Sequence, residues 1–278
     1  MDTRIGLIAG SGQFPLLFTE AARKKGLRVY AAAYRNEAVP ELESRVTAIE
    51  WLHLGQVRRL IKFFKAHGVK DAVIIGAIRK TRMFSDVRPD TMALKLWRRM
   101  KQTGDDGVLR GFASFLKDEG ITIHPSTFLL PELLAPAGCW TRRKPKRSQL
   151  RDMELGWRTA KAIGALDIGQ CVVTGGGSVL AVEAIDGTDA TLQRGGRLGR
   201  NSVAVKVCKP HQDFRFDVPA VGTETVRSMI AGDIAVLLVE AGKAVTFDRK
   251  EMVRLANKAG KCIVGMTDAD FSPLETGE

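Results

Sequence analysis

Side chains suited to phosphate chemistry concentrate in one short segment, KVCKPHQDFRFDVPAVG at residues 206–222. If this segment is extended, alternate side chains share a face, so Asp213, Arg215 and Asp217 point one way and the two phenylalanines between them the other. Carboxylates beside guanidinium and ammonium groups can hold a metal ion and a phosphate together. The same alternation also suits an exposed edge strand with ordinary ion pairs. Spacing alone leaves both interpretations open.

A pair of adjacent carboxylates, Asp105 and Asp106, lies between glycines after a basic predicted helix. Aspartates in a loop can ligate Mg²⁺, whose sites usually combine one or two carboxylates with substrate phosphate. Aspartate is also common at helix starts. The pair is therefore a candidate metal ligand set with a plain structural alternative.

Further polar residues follow the Asp-Gly turn signal in VEAIDGTDATLQRGG, residues 182–196. Turn chemistry explains the Asp-Gly pair but does not require Thr188 and Asp189. Arg194, before two glycines, could bind a phosphate bidentately. These three residues are candidate substrate ligands.

A glycine-rich loop, Gly10-Ser11-Gly12-Gln13, follows a short apolar strand and opens a predicted helix. Backbone N–H groups in this context can cradle phosphate. Pro15 stands where the dinucleotide fingerprint has its third glycine, and no acidic residue closes the second strand cleanly, so NAD binding is disfavoured. Two interpretations of the loop remain: it binds a nucleotide or a diphosphate, or it is a purely structural turn.

Predicted strands and helices alternate through the first 130 residues, which indicates a parallel sheet flanked by helices. Lys80 follows the buried strand DAVIIGAI at the carboxyl edge, where ligands bind in open α/β sheets, although a solvated loop fits equally. The second half mixes a glycine-turn hairpin with strand–helix units. We predict an α/β protein with a Rossmann-like N-terminal domain, residues 1–135, and a distinct C-terminal α/β domain, residues 136–278.

The basic run TRRKPKRSQ, residues 141–149, lies near this boundary and contains a proline. A solvated linker explains it, and a phosphate- or lipid-facing patch is the alternative.

The 278-residue chain carries a net charge of +12, which favours anionic partners such as a phospholipid surface or phosphorylated molecules. Nucleic acid is disfavoured, because no recognition motif is present and aromatic residues are only 6%. The four cysteines form no CxxC pair, which argues against zinc and a disulfide framework. No apolar run reaches the roughly 20 residues that span a bilayer, and no signal peptide is recognisable, so we expect a cytoplasmic protein.

Several motifs resemble one family, the LpxI-type UDP-2,3-diacylglucosamine pyrophosphatases. They include RIGLIAGSGQFPLLFTEAARKKG, VEAIDGTDATLQRGG and QDFRFDVPAVG, and the likeness runs in order over nearly the whole chain. The resemblance implies hydrolysis of UDP-2,3-diacylglucosamine to UMP and 2,3-diacylglucosamine 1-phosphate (lipid X) in lipid A biosynthesis. It also implies a divalent cation, usually Mg²⁺, and a lipid held between two domains. His211 departs from the family, where asparagine is frequent.

The resemblance implies that Asp217, in the family's F-D-x-P-x-x-G motif, is essential. Our hypothesis is that Asp217 holds the metal or orients the attacking water, with Asp213, Asp105 and Asp106 as further ligands. Lys209, Arg215 and Arg194 are predicted to meet the diphosphate, the first two as catalytic residues. Further substrate-binding roles are predicted for Lys80, Thr188, Asp189 and Gly10 to Gln13. The expected partners are the lipid substrate and the anionic inner-membrane surface, with a homodimer as the default oligomer. A non-catalytic nucleotide- or phospholipid-binding regulator is the alternative function.

Overall fold

The computed structural model describes residues 3–77, 87–99, 105–216 and 218–271, with the backbone alone at 97–99 and 105–108. The chain divides into two compact units. The first consists of residues 1–131 and 213–217, and the second of residues 132–212 and 218–278. A short piece of the C-terminal half therefore belongs to the first unit, which the sequence prediction did not anticipate.

Strands and helices alternate along the first unit. Its strands are β1 (Arg4–Ala9), β2 (Arg28–Tyr34), β3 (Ala48–Leu52), β4 (Asp71–Ile75) and β5 (Thr122–His124). Its helices are α1 (Phe14–Lys24), α2 (Val57–Ala66), α3 (Thr91–Arg99) and α4 (Asp105–Asp118). The five strands form one parallel sheet in the order β3-β2-β1-β4-β5, which confirms the predicted parallel α/β architecture.

The strands of this sheet are mostly apolar because helices cover its faces. Ile8 of β1 and Ala72 of β4 are buried in one core with Phe64 of α2 and Leu116 of α4. The predicted end of α1 is confirmed. Gly26 follows the helix, and its φ of 70° lies in the left-handed region that glycine adopts without strain.

Among its described residues, the second unit has a six-stranded mixed sheet and a separate two-stranded sheet of Ala220–Val221 and Val245–Thr246. The strands and helices of this unit are as follows. Its strands are β6 (Gly138–Cys139), β7 (Cys171–Gly175), β8 (Ser178–Val182), β9 (Val203–Lys206), β10 (Ala220–Val221), β11 (Val236–Glu240), β12 (Val245–Thr246) and β13 (Cys262–Met266). Its helices are α5 (Arg147–Ala165), α6 (Gly187–Leu198), α7 (Thr223–Ala231) and α8 (Arg249–Lys258). Six strands pair in the order β6-β13-β11-β9-β7-β8, with β13, β11 and β9 parallel and the outer strands antiparallel. This distinct α/β domain was predicted.

The hairpin of β7 and β8 turns at Gly176 and Gly177, as predicted. Their φ angles of 59° and 78° are those of a tight turn that needs two left-handed residues.

Helix α6 was not predicted, because the sequence pattern showed only the Asp186-Gly187 turn signal at its start. A Cβ at Gly195 would overlap the side chain of Val173, and one at Gly196 would overlap the carbonyl of Gly232. These glycines therefore bring α6 into close contact with β7 and with the end of α7.

Helix α5 is amphipathic and packs on β7 and β9. Met153, Trp157 and Ala160 recur at intervals of three and four residues and are buried against the sheet. Charged residues occupy its other face. Among the described residues, no helix joins a bilayer-spanning length to the hydropathy that a lipid interior requires.

Candidate functional site

The loop after β1 is bound to the loop after β4. Gly10 N donates to Ile75 O at 2.8 Å, and both the backbone N and the Oγ of Ser11 donate to Ala77 O, at 2.9 and 2.8 Å. A Cβ at Gly10 would lie 2.6 Å from Ala77 O and 2.8 Å from Gly76 O. Only glycine allows this approach. Since β1 has β2 on one side and β4 on the other, the loop lies where the strand order reverses, the usual ligand position in open α/β sheets.

The same loop leads directly into α1. The helix begins at Phe14, immediately after Gln13, with Pro15 in its first turn as predicted. No acidic residue lies in that turn, so the N-terminal end of the helix presents positive potential without an opposing carboxylate there. Gly12 has a φ of 95° and an open space around its Cα. The open space at Gly12 and the start of α1 suit a phosphate, whereas Gly10 and Ser11 shape the loop through their bonds to Ile75 and Ala77.

The predicted extended conformation at residues 213–216 is wrong. Phe216 N donates to Asp213 O at 3.0 Å, which closes a turn. Arg215 folds back on the same residue, with Nε 2.9 Å from Asp213 Oδ1 and Nη2 2.6 Å from Oδ2. The carboxylate and the guanidinium therefore meet across a turn and not along one face of a strand. The next residue, Asp217, lies outside the described residues.

This turn belongs to the first unit through specific contacts. Phe216 packs against the core that includes Leu116 of α4. Phe214 O accepts a hydrogen bond from the backbone N of Ser126, at 3.2 Å, just after β5. The turn therefore lies at the carboxyl end of β5. Because only β4 separates β5 from β1, it is two strand spacings, roughly 10 Å, from the strand that carries the glycine-rich loop.

The Arg215 guanidinium, by hydrogen bonding, holds the pKa of Asp213 below its ordinary value of 3.8, and the charge of Arg110 on α4 adds to this effect. Asp213 is thus a carboxylate at neutral pH. Because Arg215 occupies both of its oxygens, Asp213 is better suited to orient Arg215 than to act as a free base. This leaves Arg215 as a positioned cation.

Asp105 and Asp106 were predicted to lie in a loop, but they are the first residues of α4. Acidic residues are favourable there because they face the positive end of the helix dipole. Their side chains lie outside the described residues, and so does the whole of Lys80. Their roles as metal and substrate ligands stay predictions.

In the second unit, a buried lysine ends β9. Lys206 is 7% exposed, and its Nζ donates to Thr188 Oγ1 at 3.0 Å and to Ala220 O at 2.9 Å. Thr188 Oγ1 in turn donates to Glu183 Oε1 at 2.7 Å. Thr188 was singled out from the sequence, whereas Lys206 was only the start of the charged segment. The usable signal was a lysine inside the apolar run SVAVKVC, since buried lysines need partners.

The thiol nearest this network is unreactive. Cys171 is fully buried, and burial raises its pKa to about 12 despite the opposing charge of Lys206. It is therefore protonated at neutral pH and unsuited to nucleophilic attack.

A second buried charge anchors the segment that leads to Lys209. Glu240, at the end of β11, is 1% exposed, and its Oε2 accepts the backbone N–H of Cys208 at 2.8 Å. Lys161 Nζ lies 2.7 Å from both carboxylate oxygens, and Lys243 Nζ lies 2.8 Å from Oε1. Sequence reasoning missed Glu240, because it reads as the end of an apolar strand.

In the second unit, the basic side chains that were predicted to bind substrate are paired with other groups of the protein. Lys209 Nζ lies 2.5 Å from Asp167 Oδ1. Arg194 pairs with Asp186 and donates to Val182 O at 2.7 Å, thereby closing the turn before α6. Asp189 is exposed in the first turn of α6. All three stay predicted substrate ligands.

No three histidine, cysteine, aspartate or glutamate side chains converge as a metal site among those that the structure describes. Magnesium sites need only one or two carboxylates when phosphate completes the shell. The predicted ligands Asp217, Asp105 and Asp106 have side chains outside the described part of the chain.

Two solved structures are distantly similar to this chain. The biotin carboxylase domain of Hydrogenobacter thermophilus 2-oxoglutarate carboxylase matches 63% of this chain and 35% of its own, with 12% identity and a TM-score of 0.26. A biotin carboxylase domain of a thermophilic 2-oxoglutarate carboxylase gives 15% identity and a TM-score of 0.27, over 64% of this chain and 36% of its own. Both TM-scores are too low to support a conclusion about the fold of this protein.

Sequence comparison is far more specific. A protein of Caulobacter vibrioides called UDP-2,3-diacylglucosamine pyrophosphatase LpxI is 30% identical over 275 residues, which is 95% of this chain and 97% of that protein. The LpxI N-terminal domain matches residues 4–133, and the LpxI C-terminal domain matches residues 136–264. Together the two domains cover most of the chain in the family's order, so this protein belongs to the LpxI family.

Proposed function

We propose that this protein hydrolyses the diphosphate of UDP-2,3-diacylglucosamine to UMP and 2,3-diacylglucosamine 1-phosphate in lipid A biosynthesis. One observation carries the proposal: similarity to a protein named for this activity extends over 95% of the chain. The fold agrees, since a glycine-rich loop suited to phosphate lies at a strand-order reversal.

The reaction is slow in water because an anionic diphosphate repels an incoming nucleophile, so catalysis needs positioned positive charge. In the first unit, Arg215 held by Asp213 is proposed to neutralise phosphate oxygens, and the loop at Gly10 to Gln13, with the start of α1, is proposed to hold the nucleotide side. Asp217 is proposed to orient the attacking water or to bind the cation. Bound Mg²⁺ would draw charge from the diphosphate.

A UMP-release assay tests the activity and the cation requirement separately. We expect UMP to form from the lipid substrate with Mg²⁺, to stop on addition of EDTA, and to form again with excess Mg²⁺. In ¹⁸O-labelled water, the label should appear in one phosphate product and identify the attacked phosphorus. A nucleotide- or phospholipid-binding regulator would bind substrate but release no UMP. Release that persists in EDTA would reject the cation requirement and leave the hydrolase proposal intact.

We further propose that the protein contacts an anionic membrane through an apolar corner, formed by Leu166, Ile168 and Ile185. These side chains are 71%, 50% and 94% exposed. Their two turns meet where Gly169 packs against the backbone of Glu183. Lys209 and Arg194 pair with acidic residues of the same turns. Exposed apolar side chains suit insertion into a lipid surface, and the net charge of +12 on the whole chain favours an anionic one.

Replacing Leu166, Ile168 and Ile185 together by serine should lower binding to phosphatidylglycerol-containing vesicles about tenfold, because inserted apolar side chains contribute most of the affinity. Vesicle sedimentation over a salt series measures this, and added salt should weaken binding by the wild type. Leu198→Ser is the matched control, since Leu198 is 64% exposed at the far end of α6. If the triple variant binds vesicles as tightly as the wild type, the apolar corner does not contact the membrane. The homodimer stays a prediction.

A further inference from the structure

A group of basic side chains lies at the other end of the second unit's sheet from Lys206. Strands β7 and β9 are antiparallel, with Cys171 paired to Lys206 and Thr174 paired to Val203. The Gly176–Gly177 turn therefore lies beside the start of β9, one strand length from its carboxyl end. Because β9 is four residues long, its length is roughly 13 Å.

The start of α5, the Gly176–Gly177 turn and the turn before β9 line an open cavity of about 610 Å³ at this end. The first turn of α5 and the residue before it contribute Lys146 and Arg147, and the next turn contributes Arg151. Arg200 contributes from the turn before β9. We call this feature the cationic cavity. Its four cations are brought together by the tertiary fold, since Arg200 is distant from the others in sequence.

One carboxylate also lines the cationic cavity, but backbone donors already bind it. Asp152 is 6% exposed, and its oxygens accept the N–H groups of Gly177 at 2.8 Å and of Gly176 at 3.2 Å. Asp152 thus holds the hairpin turn against α5. It opposes only part of the positive charge in the cavity.

Within the described part of the chain, Lys146, Arg147 and Arg151 take part in no side-chain ion pair. Arg200 acts at longer range on Asp233, which is paired with Lys261 at 2.5 Å. Among the described residues, these four cations face one concave space and none of them forms an ion pair with a carboxylate, so they form a surface complementary to a multiply charged anion.

We propose that the cationic cavity binds a soluble small molecule that carries two or more phosphate groups. Arginine side chains bind phosphate oxygens bidentately, and the positive end of the α5 dipole, with no acidic residue in the first turn of the helix, favours an anion here. The volume accommodates several phosphate groups, whereas one phosphate would leave most of the cations without a partner. A lipid headgroup fits less well, because the apolar corner lies toward the other end of the same sheet and a flat bilayer cannot contact both ends.

The test measures binding of inorganic tripolyphosphate to the full chain by calorimetry, with EDTA present and at two salt concentrations. We expect the Arg147→Gln, Arg151→Gln double variant to lose at least tenfold in affinity and to show a weaker salt dependence. Arg158→Gln is the matched control, because Arg158 is exposed on the same helix outside the cavity. Unchanged affinity in the double variant would overturn the proposal.

Two further measurements separate the alternatives. Vesicles of phosphatidylcholine and phosphatidylglycerol test the lipid source, and a double variant that loses vesicle binding but retains tripolyphosphate binding would overturn the proposal in favour of a headgroup site. The single variant Arg151→Gln, checked by thermal unfolding, guards against misfolding as a cause of lost affinity. The double variant should release UMP within about twofold of the wild type. Absence of UMP release from both proteins would reject the proposed hydrolase and leave the cavity result standing.

Discussion

Asp217→Asn is expected to lower kcat for UMP release by about 10³-fold while substrate affinity stays near that of the wild type. Asparagine has almost the same size as aspartate, so the substitution is nearly isosteric. It lacks the negative charge that would bind a cation or orient the attacking water. The Asp213–Arg215 ion pair precedes position 217 in the sequence and keeps both of its charges, which is why binding should survive. Steady-state kinetics and direct binding of the substrate to the inactive variant measure the two effects.

Asp118→Asn provides the control for this prediction, because Asp118 is an exposed carboxylate at the end of α4. It should retain full activity. A fully active Asp217→Asn variant would refute the proposed role of Asp217. A variant that loses both activity and binding would indicate that Asp217 holds substrate in the ground state.

Glu240→Ala is expected to lower the free energy of unfolding by about 3 kcal/mol, because it leaves two lysines facing a buried site without their shared carboxylate. Lys161 and Lys243 both pair with Glu240, which is 1% exposed. The substitution also removes the acceptor of the Cys208 N–H. Urea unfolding followed by circular dichroism and tryptophan fluorescence measures the change. Loss of this anchor should also raise KM if the adjacent Lys209 binds the diphosphate.

Two matched variants support this interpretation. Glu240→Gln keeps an acceptor but no charge, so its loss should be smaller than that of alanine. Glu251→Ala removes an exposed ion pair with Arg254 and should cost no more than about 0.5 kcal/mol. Equal losses at positions 240 and 251 would contradict the importance of burial.

Local pattern was sufficient for most helices and strands. The alternation of apolar strands with helices predicted the parallel sheet, because helices on both faces require strands that are apolar throughout. The glycine pair at 176–177 predicted the hairpin, because few other residues adopt two successive left-handed conformations. The same approach missed α6, because only the Asp186-Gly187 turn signal that precedes it was recognised. Gly195 and Gly196 within the helix serve close packing against other elements.

The candidate site depended more on tertiary structure. The sequence by itself determined the α/β class and the motifs shared with the LpxI family. It also predicted candidate site residues in the glycine-rich loop and in the charged segment at 206–222. Only the fold decided that residues 213–217 join the first unit and that Asp213 and Arg215 meet across a turn. It also decided that Lys206 and Glu240 are buried beside partners far along the chain. The physical reason is range: backbone preferences and periodicity act between near neighbours, whereas burial and ion pairing are set by contacts between distant segments.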